Sequence, residues 1–216
     1  MLRSPKPRGY ASSRTIRTVH ITGVLNDTLR LPRDLTVTHR DCGEPNASYS
    51  SQQHGISMCW ELLESVTVTL YDGDRTDQEN GDAVIGAWLS VMFHELGHAL
   101  IDQYELPVTG KEEDAVDDFA TVLLIEAGLA DYAVSAAEYW ALTDDGMYSQ
   151  LAYADEHSLN SQRFYGILCT VYGSDPGEYG WLVDRGVLPE TRAARCPDEY
   201  AQKSKSWNKL LEPYFK

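Results

Sequence analysis

The sequence predicts an α+β fold in which a small N-terminal β-sheet or hairpin precedes a mostly helical body. Two observations support this prediction. Before residue 61, β-branched and polar residues mix or alternate in short runs, which is typical of strands. From Glu61 onward, apolar residues recur at helical spacing between segments marked by glycine and proline.

The predicted strands come first along the chain. TIRTVHIT at residues 15–22 and LTVTH at residues 35–39 are expected to be strands, and residues 56–60 are expected to return as a third. The turn-rich residues 42–54 between them predict a loop or an irregular edge strand. Residues 1–14 are basic and are expected to be disordered, whereas residues 15–216 are expected to form a single domain.

The helical body is predicted as a series of amphipathic segments. A polar loop is expected at residues 72–82, and the long helix after it is expected to carry the active site and to end before Pro107. The predicted helices span residues 62–70, 83–104, 112–127, 130–142, 159–172, 177–184 and 198–211.

The charge balance excludes several classes of protein. The chain has 18 basic and 33 acidic residues, for a net charge of −15. A nucleic-acid binder needs a basic face, so we expect no nucleic-acid partner. No apolar run approaches the roughly 20 residues of a membrane span, so we expect no membrane insertion. The first 19 residues lack the apolar core of an intact secretory signal.

The four cysteines form an early pair and a late pair, and none are in C-x-x-C spacing. The simplest pairing is Cys42 with Cys59 and Cys169 with Cys196, and two such disulfides would indicate a secreted, periplasmic or otherwise extracytoplasmic protein. The alternative is four buried free thiols.

The motif that carries the chemistry is H-E-x-x-H at residues 94–98, within the apolar segment VMFHELGHAL. On a helix, four residues advance by about 400°, so His94 and His98 share a face about 6 Å apart along the axis. Both imidazoles can then bind one zinc ion, while Glu95 beside them can hold a water molecule and take its proton. A buried helix with two histidines and a glutamate needs a reason to desolvate them, and a metal is the simplest one.

The third ligand must come from another part of the chain. A third histidine of the long zinc motif is excluded, because Ile101 and Tyr104 stand where it requires glycine and histidine. The next helix offers Glu113 and Asp117, which match the E-x-x-x-D pattern of zinc peptidases with a glutamate ligand. In that pattern the glutamate binds zinc and the aspartate orients a ligand histidine. Glu112 remains a rival ligand, and the acidic run could also be a solvated first turn.

The segments FHELGHALI, EEDAVDDFATVLL, EHSLNSQRFYGILCTVYGSDP and ARCPDEY resemble domain-of-unknown-function family 4344, whose members are described as metallopeptidases. The resemblance runs from about Leu31 to the C-terminus. It implies a zincin-like fold of the glutamate-ligand (gluzincin) type and says little about the substrate.

Two further features are similar to thermolysin-like enzymes. Those enzymes bind the substrate backbone with an Asn-Ala pair on an edge strand, which Asn46 and Ala47 match; the alternative is an ordinary Pro-Asn turn. His157 follows the zinc helices as their oxyanion-stabilising histidine does, and Arg163, Tyr153 and Tyr165 are rivals for that role.

The leading hypothesis is a zinc metallopeptidase with one Zn²⁺ per chain, which hydrolyses peptide bonds of a peptide or protein substrate with zinc-activated water and Glu95 as general base. Two alternatives remain. One is a catalytically silent zincin used as a binding module, although the intact Glu95 speaks against it. The other is a zinc amidase that acts on cell-wall peptides.

Overall fold

The structure is a computed structural model that describes residues 18–146 and 148–216. The basic segment 1–14 and the start of the first predicted strand lie outside these residues. The elements in chain order are α1 (Thr18–Thr28), β1 (Thr36–Arg40), β2 (Ala47–Ser50), β3 (Gly55–Cys59), α2 (Trp60–Leu70), α3 (Asp77–Tyr104), α4 (Glu112–Glu126), α5 (Ala130–Leu142), α6 (Gln150–Ala154), α7 (Asn160–Ser174), α8 (Trp181–Asp184), α9 (Glu190–Ala193), α10 (Cys196–Leu211) and a 3₁₀ turn (Glu212–Tyr214). The predicted α+β class is confirmed.

The sheet has the strand order β1-β3-β2. β3 lies in the middle, parallel to β1 and antiparallel to β2, and Ala47 pairs with Met58. β2 and β3 form an antiparallel hairpin, in which β2 lies within the predicted loop or irregular edge strand and β3 is the predicted returning strand. Trp60 opens α2 instead of ending that strand. Among the described strands, β2 therefore keeps one edge without a partner.

The strand predicted at residues 15–22 is wrong over its described part, because Thr18–Thr28 is a helix. The β-branched residues there disfavour a helix only weakly, so tertiary contacts can override them. The helix ends against the C-terminus: the backbone N–H of Arg30 donates to Tyr214 O at 2.9 Å, and that of Lys216 donates to Thr28 O at 2.9 Å. Leu29 is buried in the core beside this contact.

The long helix α3 begins at Asp77, six residues before the predicted start, because a capping box fixes its first turn. The Glu79 backbone N–H donates to the Thr76 hydroxyl at 3.2 Å, and the Glu79 carboxylate accepts from the Thr76 backbone N–H at 2.8 Å. This reciprocal pair satisfies two backbone donors that would otherwise be free. The predicted polar loop at residues 72–82 therefore ends at Thr76.

Helix α3 forms the centre of the helical body and packs against α2, α4 and α5, while α7 packs against α4, α5 and α10. Ala99, Leu100, Val116 and Leu168 are fully buried at these contacts. By length and composition alone α3 could cross a membrane, but 72% of its most apolar window is buried inside the protein. A core helix of a soluble protein has the same properties.

Both predicted disulfides are present. Cys42–Cys59 ties the segment before β2 to the end of β3, and Cys169–Cys196 ties α7 to α10. The alternative of four buried free thiols is wrong.

Candidate metal centre

Two helices bring together three side chains that could hold a metal ion. His94 and His98 lie one turn apart on α3, and Glu113 lies in the first turn of α4. One ligand atom from each residue can be chosen so that all three atoms lie within 4.8 Å of one another. Whether a metal ion fits here is judged from these side chains.

The Nδ1 atom of each histidine ring forms a hydrogen bond with a carboxylate, and the two histidines have different carboxylate partners. His94 Nδ1 lies 2.7 Å from Asp117 Oδ1, and His98 Nδ1 lies 2.7 Å from Glu112 Oε1. A carboxylate only accepts, so both Nδ1 atoms carry a proton. In the neutral imidazoles, the Nε2 atoms are then unprotonated, and their lone pairs are available to bind a metal.

The two Nε2 atoms face the Glu113 carboxylate. His94 Nε2 lies 3.0 Å from Glu113 Oε2, and His98 Nε2 lies 3.4 Å from Glu113 Oε1. Despite its short contacts, Glu113 Oε2 is a buried atom without a hydrogen-bond partner among the described residues. Lone pairs on imidazole nitrogens repel a carboxylate unless a cation lies between them. The arrangement therefore fits a metal ion.

The pKa values of His98 and Glu113 are shifted in the directions that favour positive charge between these two side chains. Burial lowers the pKa of His98, but its contacts with Glu113 and Glu112 outweigh burial and raise the pKa to about 9. Burial raises the pKa of Glu113, but His157, His94 and His98 outweigh it and hold that pKa well below the usual range. A cation at this position would take the place of the protons that the histidines otherwise attract.

Asp117 links the centre to α7. Its carboxylate accepts two hydrogen bonds of 2.7 Å from Arg163, one from Nε and one from Nη2, besides the bond from His94. The guanidinium carbon of Arg163 lies 3.7 Å from the centre of the Trp140 ring. Burial raises the pKa of Asp117, but Arg163 and His94 outweigh burial and lower it to about 2. Asp117 is therefore held as a carboxylate in a fixed orientation.

Glu95 lies between the two histidines in sequence and lines the cleft that opens over the candidate metal centre. It is buried, and burial raises the pKa of its carboxyl group above the usual range, although His94 and His98 partly oppose this shift. A carboxylate in such surroundings is a stronger base than one in water. It can take a proton from a molecule that enters the cleft.

His157 approaches the centre from the loop between α6 and α7. Its Nε2 lies 3.1 Å from Glu113 Oε2, and its Nδ1 lies 3.1 Å from Asp155 Oδ1. The His157 backbone N–H also donates to Asp155 Oδ1 at 2.8 Å. The close approach of Glu113 is the main cause that raises the pKa of His157. Asp155 thus orients a ring whose free nitrogen points at the centre.

A cleft of about 610 Å³ opens over these groups. One wall is β2 together with the residue before it, so Asn46, Ala47, Ser48 and Tyr49 line the cleft beside His94, Glu95 and His98. The structure thus brings together the predicted residues Asn46, Ala47, His94, Glu95, His98, Glu113 and His157, with Asp117 behind His94.

Sequence reasoning missed the partners of three of these side chains. Glu112 was expected as a rival ligand or a solvated acid, but it accepts from His98. Arg163 was a rival for the oxyanion role, but it is bonded to Asp117. Asp155 was not identified, although its position two residues before His157 gives a local signal. Tyr153 and Tyr165 are exposed and are not among the described residues that line the cleft.

Of the comparisons with known proteins, only the match to a family model bears on this geometry, and it agrees with a metal centre. No curated protein and no solved structure matches the chain. A family model, DUF4344, with the description "Putative metallopeptidase", matches residues 13–211. Because this match covers almost the whole chain of 216 residues, the protein belongs to the DUF4344 family of metallopeptidases.

Proposed function

We propose that this protein is a zinc-dependent peptidase in which His94, His98 and Glu113 hold one zinc ion. The observation that carries the proposal is the pair of Nε2 atoms that face the Glu113 carboxylate at 3.0 and 3.4 Å. Two imidazole nitrogens and one carboxylate are a donor set typical of catalytic zinc, which keeps a further position open. When bound, zinc supplies Lewis-acid chemistry that polarises a peptide carbonyl and a water molecule.

The chain's own residues then carry the proton transfers. Glu95 lines the cleft beside both histidines and is the carboxylate that we assign as general base. It takes a proton from the attacking water and gives it to the leaving amine nitrogen as the peptide bond breaks. The burial that raises its pKa favours the first of these steps.

Three other groups support this chemistry by orientation. Asp117 and Glu112 fix the two zinc-ligand rings through their Nδ1 protons, and Arg163 fixes Asp117. We assign to His157 the stabilisation of the carbonyl oxygen, since its ring faces the centre and Asp155 holds its other nitrogen.

The substrate in this proposal is an extended peptide segment that pairs with the outer edge of β2 at Asn46 and Ala47. It would take over the Ala47 backbone N–H, which otherwise donates to Asn46 Oδ1 at 2.8 Å. The strand lines the cleft and has a partner on one side only among the described strands, which is the arrangement that β-augmentation uses. The two disulfides support a secreted or periplasmic location, because such bonds persist in oxidising compartments.

The test is cleavage of a varied set of fluorogenic peptides by purified protein, with and without a chelator. We expect about one zinc per chain by elemental analysis, loss of cleavage on chelation, and recovery when zinc is added back. A folded protein that takes up no transition metal from zinc-replete medium would overturn the zinc assignment. Tight zinc binding without cleavage of any peptide would instead favour a silent binding module.

A further inference from the structure

The cleft carries negative charge beyond that of the proposed metal ligands and the general base. Apart from the centre, its lining includes three carboxylates, Asp102, Glu112 and Glu156, and no lysine or arginine among the described residues. If the proposed function holds, two neutral histidines, Glu95, Glu113 and a divalent ion together carry no net charge. The three remaining carboxylates then set the sign of the field that a substrate meets.

The nearest basic residues leave Glu112 and Glu156 without a compensating positive charge. Arg163 is bonded to Asp117 behind the centre. Arg33 lies near Asp102 only: its Nη1 is 3.3 Å from His54 Nε2, and His54 Nδ1 is 4.0 Å from Asp102 Oδ2, so Arg33 partly offsets the charge of Asp102. Lys111 donates to the Asp155 carbonyl at 3.2 Å, where the Asp155 carboxylate offsets its charge.

The three acids differ in how freely they can bind another molecule. Asp102 Oδ2 accepts from the Tyr49 hydroxyl at 2.7 Å, and Glu112 Oε1 accepts from His98 at 2.7 Å. Glu156 makes no hydrogen bond or ion pair with the described residues, and its exposed side chain lines the cleft next to His157. It is therefore the carboxylate most available to a substrate.

The open edge of β2 indicates independently what kind of molecule enters the cleft. An extended peptide paired with this edge would pass between Tyr49 and the centre, and its alternate side chains would point along the cleft walls. A lysine or arginine side chain is long enough to reach a wall carboxylate and form a charge-assisted hydrogen bond.

We infer that the cleft selects peptides with lysine or arginine near the bond to be cleaved, and that Glu156 is the main specificity-determining residue. This inference rests on the proposed peptidase function and assigns its substrate class. Asp102 and Glu112 contribute through the general field of the cleft and remain engaged with Tyr49 and His98.

The experiment compares three fluorogenic peptides that differ only in having Lys, Gln or Glu at the residues flanking the cleaved bond. We expect kcat/KM for the Lys peptide to exceed that for the Glu peptide by about tenfold or more at low salt, and the ratio to shrink at 0.5 M salt, where the Debye length is only about 4 Å. Glu156→Gln should lower the ratio about two- to fivefold, as one partly exposed charge pair does.

Glu64→Gln is the matched control, since Glu64 is an exposed acid on α2 that does not line the cleft. This variant changes the net charge by the same amount and should leave the ratio unchanged. A ratio near one in the unmodified protein, or an equal loss in both variants, would overturn the inference.

A binding measurement separates this inference from the proposed function. The same three peptides, labelled with a dye, are titrated with zinc-loaded protein that carries Glu95→Gln and followed by fluorescence anisotropy. Preferential binding of the Lys peptide supports the inference even if the unmodified protein cleaves no peptide, in which case only the peptidase proposal fails. Equal binding of the Lys and Glu peptides overturns the inference.

Discussion

Gly97 of α3 lies so close to α4 that a methyl group added to it would stand 2.8 Å from the Cβ of Val116. The same methyl group would lie 3.1 Å from a ring carbon of Phe119. Gly97 precedes His98 on α3, and Val116 precedes Asp117 on α4. The absence of a side chain at position 97 therefore sets the distance between the two helices that form the candidate metal centre.

We predict that Gly97→Ala pushes α4 away from α3 and weakens both stability and zinc binding. Alanine gains up to about 1 kcal/mol in helix propensity, but overpacking typically costs about 1–3 kcal/mol, so the free energy of unfolding should fall. Chemical denaturation and zinc titration measure the two effects. Gly81→Ala on the same helix is the control: a methyl group there meets no atom within 4 Å, so stability should be equal or higher. Zinc affinity that is unchanged by Gly97→Ala would contradict this account of the helix contact.

The two histidines should each be required for zinc. His94→Ala or His98→Ala removes one of two nitrogen donors and leaves the Glu113 carboxylate poorly compensated, so zinc content should fall from about one per chain to near zero. His39→Ala is the matched control, because His39 stacks between Trp60 and Trp88 and does not line the cleft. Elemental analysis of the purified variants measures the zinc content per chain. Full zinc content in either cleft variant would show that the ion binds elsewhere.

Glu95→Gln should separate catalysis from metal binding. Glutamine keeps the size of the side chain but cannot accept the proton, so turnover should fall by at least about 10²-fold, the lower range for general-base catalysis. Zinc content and the denaturation midpoint should stay close to those of the unmodified protein, because the ligands remain. Retention of most of the peptidase activity would rule out Glu95 as the base.

The motif spacing was enough to predict that His94, Glu95 and His98 lie together on one helix, and the grouping of the cysteines was enough to predict both disulfides. The apolar periodicity predicted the longer helices but missed the short helices α6 and α9. These patterns could not reveal contacts between side chains far apart in sequence. Arg163 reaches Asp117 across 46 residues, and Tyr49 reaches Asp102 across 53. The strand predicted at residues 15–22 was wrong for a related reason, because the docking of α1 on the C-terminal residues overrides the weak preference of its β-branched residues.

The disulfides should contribute to stability through the chain segments that they close. Cys42–Cys59 closes a separation of 17 residues and Cys169–Cys196 one of 27, so each should stabilise the fold by roughly 3 kcal/mol. We expect the Cys42→Ala/Cys59→Ala and Cys169→Ala/Cys196→Ala double variants to lower the denaturation midpoint. The second should lose more, because Cys169 and Cys196 are both buried in the core between α7 and α10. Midpoints that do not change on reduction would contradict this assignment.

The last prediction concerns the third ligand, for which Glu112 and Glu113 are adjacent candidates. The Glu113 carboxylate faces both Nε2 atoms, whereas Glu112 bonds the far nitrogen of His98 and its side chain is 48% exposed. Glu113→Gln should therefore reduce zinc affinity most severely, because it removes the only negative ligand.

Glu112→Gln and Asp117→Asn should each cost less, roughly 10–100-fold in zinc affinity, since they loosen a ligand ring without removing a ligand. Of these two, Asp117→Asn should cost more, because Asp117 is also tied to Arg163 by two hydrogen bonds of 2.7 Å. Arg163→Lys should give a milder loss, since lysine keeps the charge but not the paired bonds. Competition with a chromogenic chelator gives all four affinities on one scale. A larger loss for Glu112→Gln than for Glu113→Gln would transfer the ligand role to Glu112 and leave the peptidase proposal in place.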